Sequence, residues 1–261
     1  MARDKERKGK EGAGKDETPA SPSRGGLPLF YKTPQILTVE RHDKAGIRDD
    51  ASFAFARDTN SVPLGADEIF VAQGHYPVVF TPDDPAIPVA VVGIGGSRNA
   101  FVGPGGAWRA GAYVPAYIRR YPFILVAKPG SRDFVLAVDE AADTFAAKAK
   151  AGDRRLFEGG QATPFVRQSA EFCRAFESQV ALARAFGEAL AKAGVLVLRR
   201  ADIRLPDGKT VSLGNFRIID EARFNALSDD TFLAWRRSGV LGLAYAHLLS
   251  MRRWLAVVPP A

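Results

Sequence analysis

The residues best suited to chemistry fall in one stretch, 99–123, where Asn99, Trp108, Tyr117, Arg119, Arg120 and Tyr121 are interleaved with Phe101, Arg109 and Tyr113 and with the loop glycines Gly103, Gly105, Gly106 and Gly111. Rings supply rigid contact area and guanidinium groups supply direction, so this is the composition of a recognition surface. The competing expectation is that the rings pack on a sheet and the arginines pair with acids such as Asp139 and Glu140, because aromatics this dense cannot all face water.

Residue types that usually do catalysis are sparse. His42, His75 and His247 are the only histidines, and no H-x-H, HExxH or CxxC spacing surrounds them, so no metal site is predicted. His247 shares a helix face with Leu243 and Met251 and reads as a core or helix-interface histidine held by hydrogen bonds. Its alternative role is as a polar group of a pocket shared with Arg119, Arg120 and Tyr121. The single cysteine, Cys173, permits no internal disulfide. It sits between Phe172 and Phe176 on an apolar helix face and reads as packing, not as a nucleophile. Gly93-Ile94-Gly95-Gly96-Ser97-Arg98-Asn99 matches neither the dinucleotide fingerprint nor the P-loop and reads as a turn, whose amides together with Arg98 could hold an anion. No catalytic residue, metal or cofactor is predicted.

The 261 residues carry 36 Lys and Arg against 29 Asp and Glu, a formal +7. Residues 1–26 hold seven basic and five acidic side chains and almost nothing apolar, so they read as a mobile, disordered leader. No apolar h-region follows these charges, which argues against a secretory signal and for the cytoplasm, with surface association by a non-classical route as the alternative. Within 27–261, arginine pairs at Arg119-Arg120, Arg154-Arg155, Arg199-Arg200, Arg236-Arg237 and Arg252-Arg253 are scattered among acids, and no nucleic-acid-binding motif accompanies them. Nucleic acid is therefore an unfavoured partner. No apolar run has the ~20 residues of a membrane-spanning helix.

Positioning these groups requires a frame. Residues 27–160 contain eleven prolines and fourteen glycines and read as strands and loops; 161–261 contain four and six and read as mostly helical. Tyr76-Pro77-Val78-Val79-Phe80 leading to Val89-Ala90-Val91-Val92-Gly93, and 121–126 leading to 134–138, predict two β-hairpins whose continuous apolar runs are covered on both faces. Thr163, Pro164 and Gly194 bracket a helix of about 30 residues. Its apolar face is Phe165, Phe172, Cys173, Phe176, Val180, Ala183, Phe186 and Leu190, and Gly187 is placed to bend it. A short hairpin, 203–205 with 210–213, follows around Asp207-Gly208, and 216–219 predicts a further strand. Ser228 caps a helix ended by Gly239, and a last helix runs over about 240–255. The fold class predicted is α+β: a single globular body in which a β-rich half packs against C-terminal helices.

Several blocks in this order resemble a known family: Leu29-Phe30-Tyr31-Lys32, Phe53-Ala54-Phe55-Ala56, Asn60-Ser61-Val62-Pro63-Leu64, Tyr113-Val114-Pro115-Ala116-Tyr117-Ile118-Arg119-Arg120-Tyr121-Pro122-Phe123 and Ala246-His247-Leu248-Leu249-Ser250. The sequence is similar to the bacterial SapC family over 27–255. That family takes its name from a protein associated with a surface layer, and many members lie in gene neighbourhoods with outer-membrane receptors, halogenases and oxygenases. The resemblance carries over no catalytic or ligand residue. It implies a non-enzymatic binding or structural protein linked to the cell surface layer, with an unknown protein or small molecule as partner and self-association as a further possibility. Its alternative is an enzyme or accessory factor for a small molecule or peptide beside such tailoring enzymes, and a third reading is an anion or nucleic-acid binder.

Overall fold

The computed structural model describes residues 26–50, 52–94, 98–128, 130, 131, 133–204, 208 and 210–258. The predicted leader, apart from Gly26, lies outside them, as do Gly95, Gly96 and Ser97 of the glycine loop and most of the Asp207-Gly208 turn.

The fold is α+β, and its central sheet runs through both halves of the sequence. Five strands lie in the order β12 (Leu196–Arg204), β13 (Thr210–Ile219), β4 (Val78–Phe80), β5 (Pro88–Val91) and β3 (Ser61–Pro63), each antiparallel to its neighbour. The predicted β4–β5 hairpin is present with Val79 opposite Val89, and every residue of both strands is buried. An unbroken apolar run is what a strand covered on both faces requires. The cover comes from α4 (Pro164–Lys192), which contributes Phe186 and Leu190, and from α7 (Val240–Ser250), which contributes Ala244 and Ala246.

The second predicted hairpin is β6 (Phe123–Ala127) with β7 (Phe134–Asp139), and β1 (Pro34–Ile36) adds to its outer edge. Only its first half is buried: Phe123 and Ile124 face the core, whereas Phe134 at the far end is 63% exposed. The reading of both hairpins as fully covered therefore holds for β4–β5 and fails here, because α4 covers the Phe123 end of the hairpin and its far end, at Phe134, is left exposed. Smaller pairings join β2 (Gly46–Ile47) to β8 (Phe145–Ala146) and β9 (Arg154–Arg155), and β10 (Phe157–Glu158) to β11 (Gln161–Ala162).

Helix α4 begins where its sequence signals place it. The Thr163 hydroxyl accepts from the Val166 amide, Pro164 occupies the first turn, and Gly194 beyond the end has φ 68°. Gly187, expected to bend the helix, meets a different need. It is buried against the backbone of Ala86, and a Cβ added there would fall inside the Ala86 carbonyl oxygen. The predicted short hairpin and separate strand are one long pair. Arg199 is opposite Phe216 and Ala201 opposite Leu213, so Gly214 and Asn215 form a bulge facing Arg200, with Asn215 at φ 54°. Helices α5 (Glu221–Asn225) and α6 (Asp229–Ser238) follow. The Ser228 cap and left-handed Gly239 bound α6 as predicted, but α7 ends at Ser250 and continues as a 3-10 turn.

Candidate functional site

Between β6 and the flank of α4 lies a groove of about 570 Å³. One wall is the junction of α3 (Ala116–Arg119) with β6, carrying Arg119, Arg120 and Tyr121; the facing wall is Phe165, Ser169 and Phe172 of α4. The loop after β2 closes one end with Arg48, Phe53 and Phe55, and Thr144 and Arg154 also reach it. Phe165, Ser169 and Phe172 stand at four- and three-residue steps, which puts them on one helix flank. They border the buried face of α4, so their rings are only partly covered.

Arg119 and Arg120 are consecutive on one helical turn and diverge. Arg119 is exposed at the rim: its Nε donates to the Val114 carbonyl at 2.9 Å, Nη2 to the Tyr113 hydroxyl at 3.0 Å, and its guanidinium lies 5.1 Å from the Phe172 ring. Arg120 turns inward, with its side chain 4% exposed. Its guanidinium lies 4.4 Å from the Tyr117 ring centre and 4.6 Å from that of Phe176, and Nη1 donates to Glu177 Oε1 at 2.9 Å. A buried cation needs this much compensation, and electron-rich ring faces with one carboxylate provide it. The Nε–H of Arg120 has no acceptor. Arg120 also lines a second cleft of about 430 Å³ on its far side, with Tyr117 and Glu177.

Tyr121 stacks obliquely on Phe55 with ring centres 4.3 Å apart and donates to Asp139 Oδ2 at 3.2 Å. Asp139, one of the acids expected to pair with the arginines, is instead consumed by the amides of Lys32, Thr33 and Ala141, and Glu140 is taken by Arg41. The guanidinium groups of Arg119 and Arg120 are thereby left to the groove and its immediate surroundings.

A buried carboxylate fixes the arginine-bearing turn. Glu68 accepts from the Ala116 amide at 2.5 Å, the Gly65 amide at 2.9 Å and the Tyr113 hydroxyl at 2.8 Å, and Tyr113 in turn accepts from Arg119. Burial pushes the Glu68 carboxyl above the usual carboxylate range, and these donors oppose that rise. Glu68→Ala strands two buried amides and a phenol, and should lower stability by about 3 kcal/mol. Denaturant titration of the variant checks this, and a loss below about 1 kcal/mol would contradict the assigned role.

The remaining predicted residues serve the frame. Tyr117 backs Arg120 and donates to the Leu29 carbonyl at 3.2 Å. Trp108 stands behind Phe53 with ring centres 5.6 Å apart. Asn99 is buried: its Oδ1 accepts from the Phe101 amide and its Nδ2 donates to the Ala56 carbonyl. His247 lies under the central sheet, where its Nε2 accepts from the Ile219 amide at 3.1 Å and its ring packs on Phe80. It lines neither the groove nor the second cleft, the two cavities described that Arg120 borders. Cys173 is buried and its thiol is pushed up to about 11, as packing requires. Sequence reasoning missed Arg48, Phe53, Phe55, Thr144 and Arg154. The Phe53-Ala54-Phe55-Ala56 block and the Arg154-Arg155 pair were visible signals, but nothing local indicated that they would meet α3.

Fold and site together define an α+β protein with an arginine-bearing aromatic groove. Among the described residues no group of histidine, cysteine and carboxylates is placed to hold a metal, and no helix is long and apolar enough to cross a membrane. The chain belongs to the SapC family, whose family model matches residues 37–256. No curated protein and no solved structure matches it.

Proposed function

We propose that this protein is a non-enzymatic binding protein linked to the cell surface layer, and that the groove between β6 and α4 holds its ligand. The observation that supports binding is the convergence of Arg119, Arg120 and Tyr121 with Phe53, Phe55, Phe165 and Phe172 on one concavity. Its volume falls in the range of small-molecule sites, roughly 300–1,000 Å³. The polar groups facing it are guanidinium, carboxylate, hydroxyl and amide groups; His42, His247 and Cys173 are buried elsewhere. The surface-layer link rests on the family resemblance. A phosphate-tracking nucleic-acid surface has little support, because Arg154, Arg199, Arg200 and Arg217 pair with Asp49, Asp220, Asp202 and Asp84.

Ser169→Trp tests the reading by filling the groove from the α4 side. Fractionated extract of the native cell should raise the melting temperature of the parent protein by several degrees, and the folded variant should not respond. An equal response from the variant refutes the groove as the binding site. The surface-layer link fails if cell fractionation finds none of the protein with the envelope.

A further inference from the structure

Resting on the groove reading, we propose that the ligand is a carboxylate carried on a molecule with an aromatic ring, with the carboxylate at the Nε–H of Arg120 and the ring between the phenylalanines of the α4 wall and those that close the groove's end. Three observations carry this.

The first is charge. Arg48, Arg119, Arg120 and Arg154 line the groove against Asp49 and Asp50. Asp49 is tied to Arg154 at 2.5 Å, while Arg48 forms no ion pair among the described residues. The excess is positive and favours an anion.

The second is unmet hydrogen bonding. Both Arg120 Nε and Thr144 Oγ1 are buried polar atoms without a partner, and both residues line this groove. A buried donor on a charged group is among the costliest to leave unmade. Arg120 already gives Nη1 to Glu177 and is also hydrogen-bonded to Tyr117, so what remains unmet is the single Nε–H. One donor suits one oxygen of a carboxylate, whereas a phosphate dianion calls for more cationic donors than a single buried arginine supplies.

The third is the shape of the apolar lining. Phe53 and Phe55 from the loop after β2 line the groove together with Phe165 and Phe172 from α4, with Tyr121 stacked on Phe55. Ring walls of this kind favour a ring in offset or edge-on contact over a flexible polar body.

Such a group could be a free aromatic acid or the C-terminal aromatic residue of a peptide. Calorimetry on the full chain should use N-acetyl-L-phenylalanine, its carboxamide, N-acetyl-L-alanine and Gly-Gly-Phe. The acid should bind, with the carboxamide and the alanine compound each at least about tenfold weaker, since each lacks one of the two recognised features. Arg120→Met should abolish the preference for acid over amide. Thr144→Val, a substitution that leaves the aromatic cage of Arg120 intact, should weaken acid binding severalfold and tests the groove's other unpartnered polar group if Arg120→Met fails to fold. Tighter binding of Gly-Gly-Phe assigns the peptide source, and tighter binding of the acetylated amino acid assigns the small molecule. Equal affinity for acid and amide overturns the carboxylate assignment. No binding of any probe, while the cell-extract response still disappears in Ser169→Trp, overturns the ring-bearing carboxylate and leaves the groove reading standing. An extract response that survives in Ser169→Trp removes the groove reading itself.

Discussion

Gly187→Ala should lower the stability of the folded protein by about 3 kcal/mol, with a drop of roughly 10 °C in melting temperature. The sign is the informative part. In the interior of an exposed helix the same change is favourable by about 1 kcal/mol, because glycine has the larger backbone entropy to lose. At Gly187 the added methyl meets the carbonyl oxygen of Ala86, a backbone atom that cannot rotate aside as a side chain would. Relief requires α4 to lift from the loop between β4 and β5, which uncovers Phe186 and Leu190, both almost fully buried. Ser178→Ala, at an exposed position of the same helix, is the control and should change stability by less than about 0.5 kcal/mol. If Gly187→Ala proves neutral or stabilising by thermal denaturation, the close approach of α4 to Ala86 is wrong.

Acidification should have the next largest effect, and it acts through His247. Burial lowers the imidazole from its ordinary value of 6.5 to about 4, with the Val78 backbone only partly offsetting the loss of water. The Ile219 amide donates to Nε2, so the folded state holds the neutral ring. Because the folded value is depressed, the unfolded chain binds the proton more readily between the two values. The stability supplied by the neutral ring is fully present above pH 6.5 and is lost as pH falls towards 4. The expected loss between pH 7 and pH 4 is about 3 kcal/mol from this group. Glu140, held below the usual carboxylate range by Arg41, adds a smaller loss of the same sign on further acidification. His247→Gln separates the two: glutamine can still accept from Ile219 but does not titrate, and Glu140 is unchanged. Urea denaturation of both proteins at pH 7 and pH 4 should show a much flatter dependence in the variant. Parallel curves would remove His247 as the source.

Legibility from sequence followed locality. Thr163, Ser228, Gly194 and Gly239 act on their own neighbours through caps and left-handed turns, so α4 and α6 were readable. The β4–β5 hairpin was readable because its partners are close in the chain. Gly214-Asn215 looked like a break between strands because a bulge and a loop share the same residue types; only the pairing of Arg199 with Phe216 distinguishes them. The site was half visible. Its α3–β6 wall is one continuous segment and stood out by composition, whereas the facing wall is the flank of a helix whose phenylalanines read as core. His247 reads from sequence first as a core histidine held by hydrogen bonds, and it is buried on Phe80 and accepts from the Ile219 amide; its apolar helix gives no cue to which group supplies that donor.

The single register contact that joins the halves, Arg217 opposite Phe80, has a consequence for biosynthesis. As the polypeptide leaves the ribosome, β4 emerges with β5 and β3 but without β13, while α4 and α7, which cover the same strands, have yet to be translated. Both apolar faces of the hairpin, Val78 on one and Val79 with Val89 on the other, are therefore uncovered on the nascent chain until β13 and α7 have been made. Completion of this fold waits on synthesis of β13 and α7, and during that interval the emerging sheet is a natural client for a chaperone.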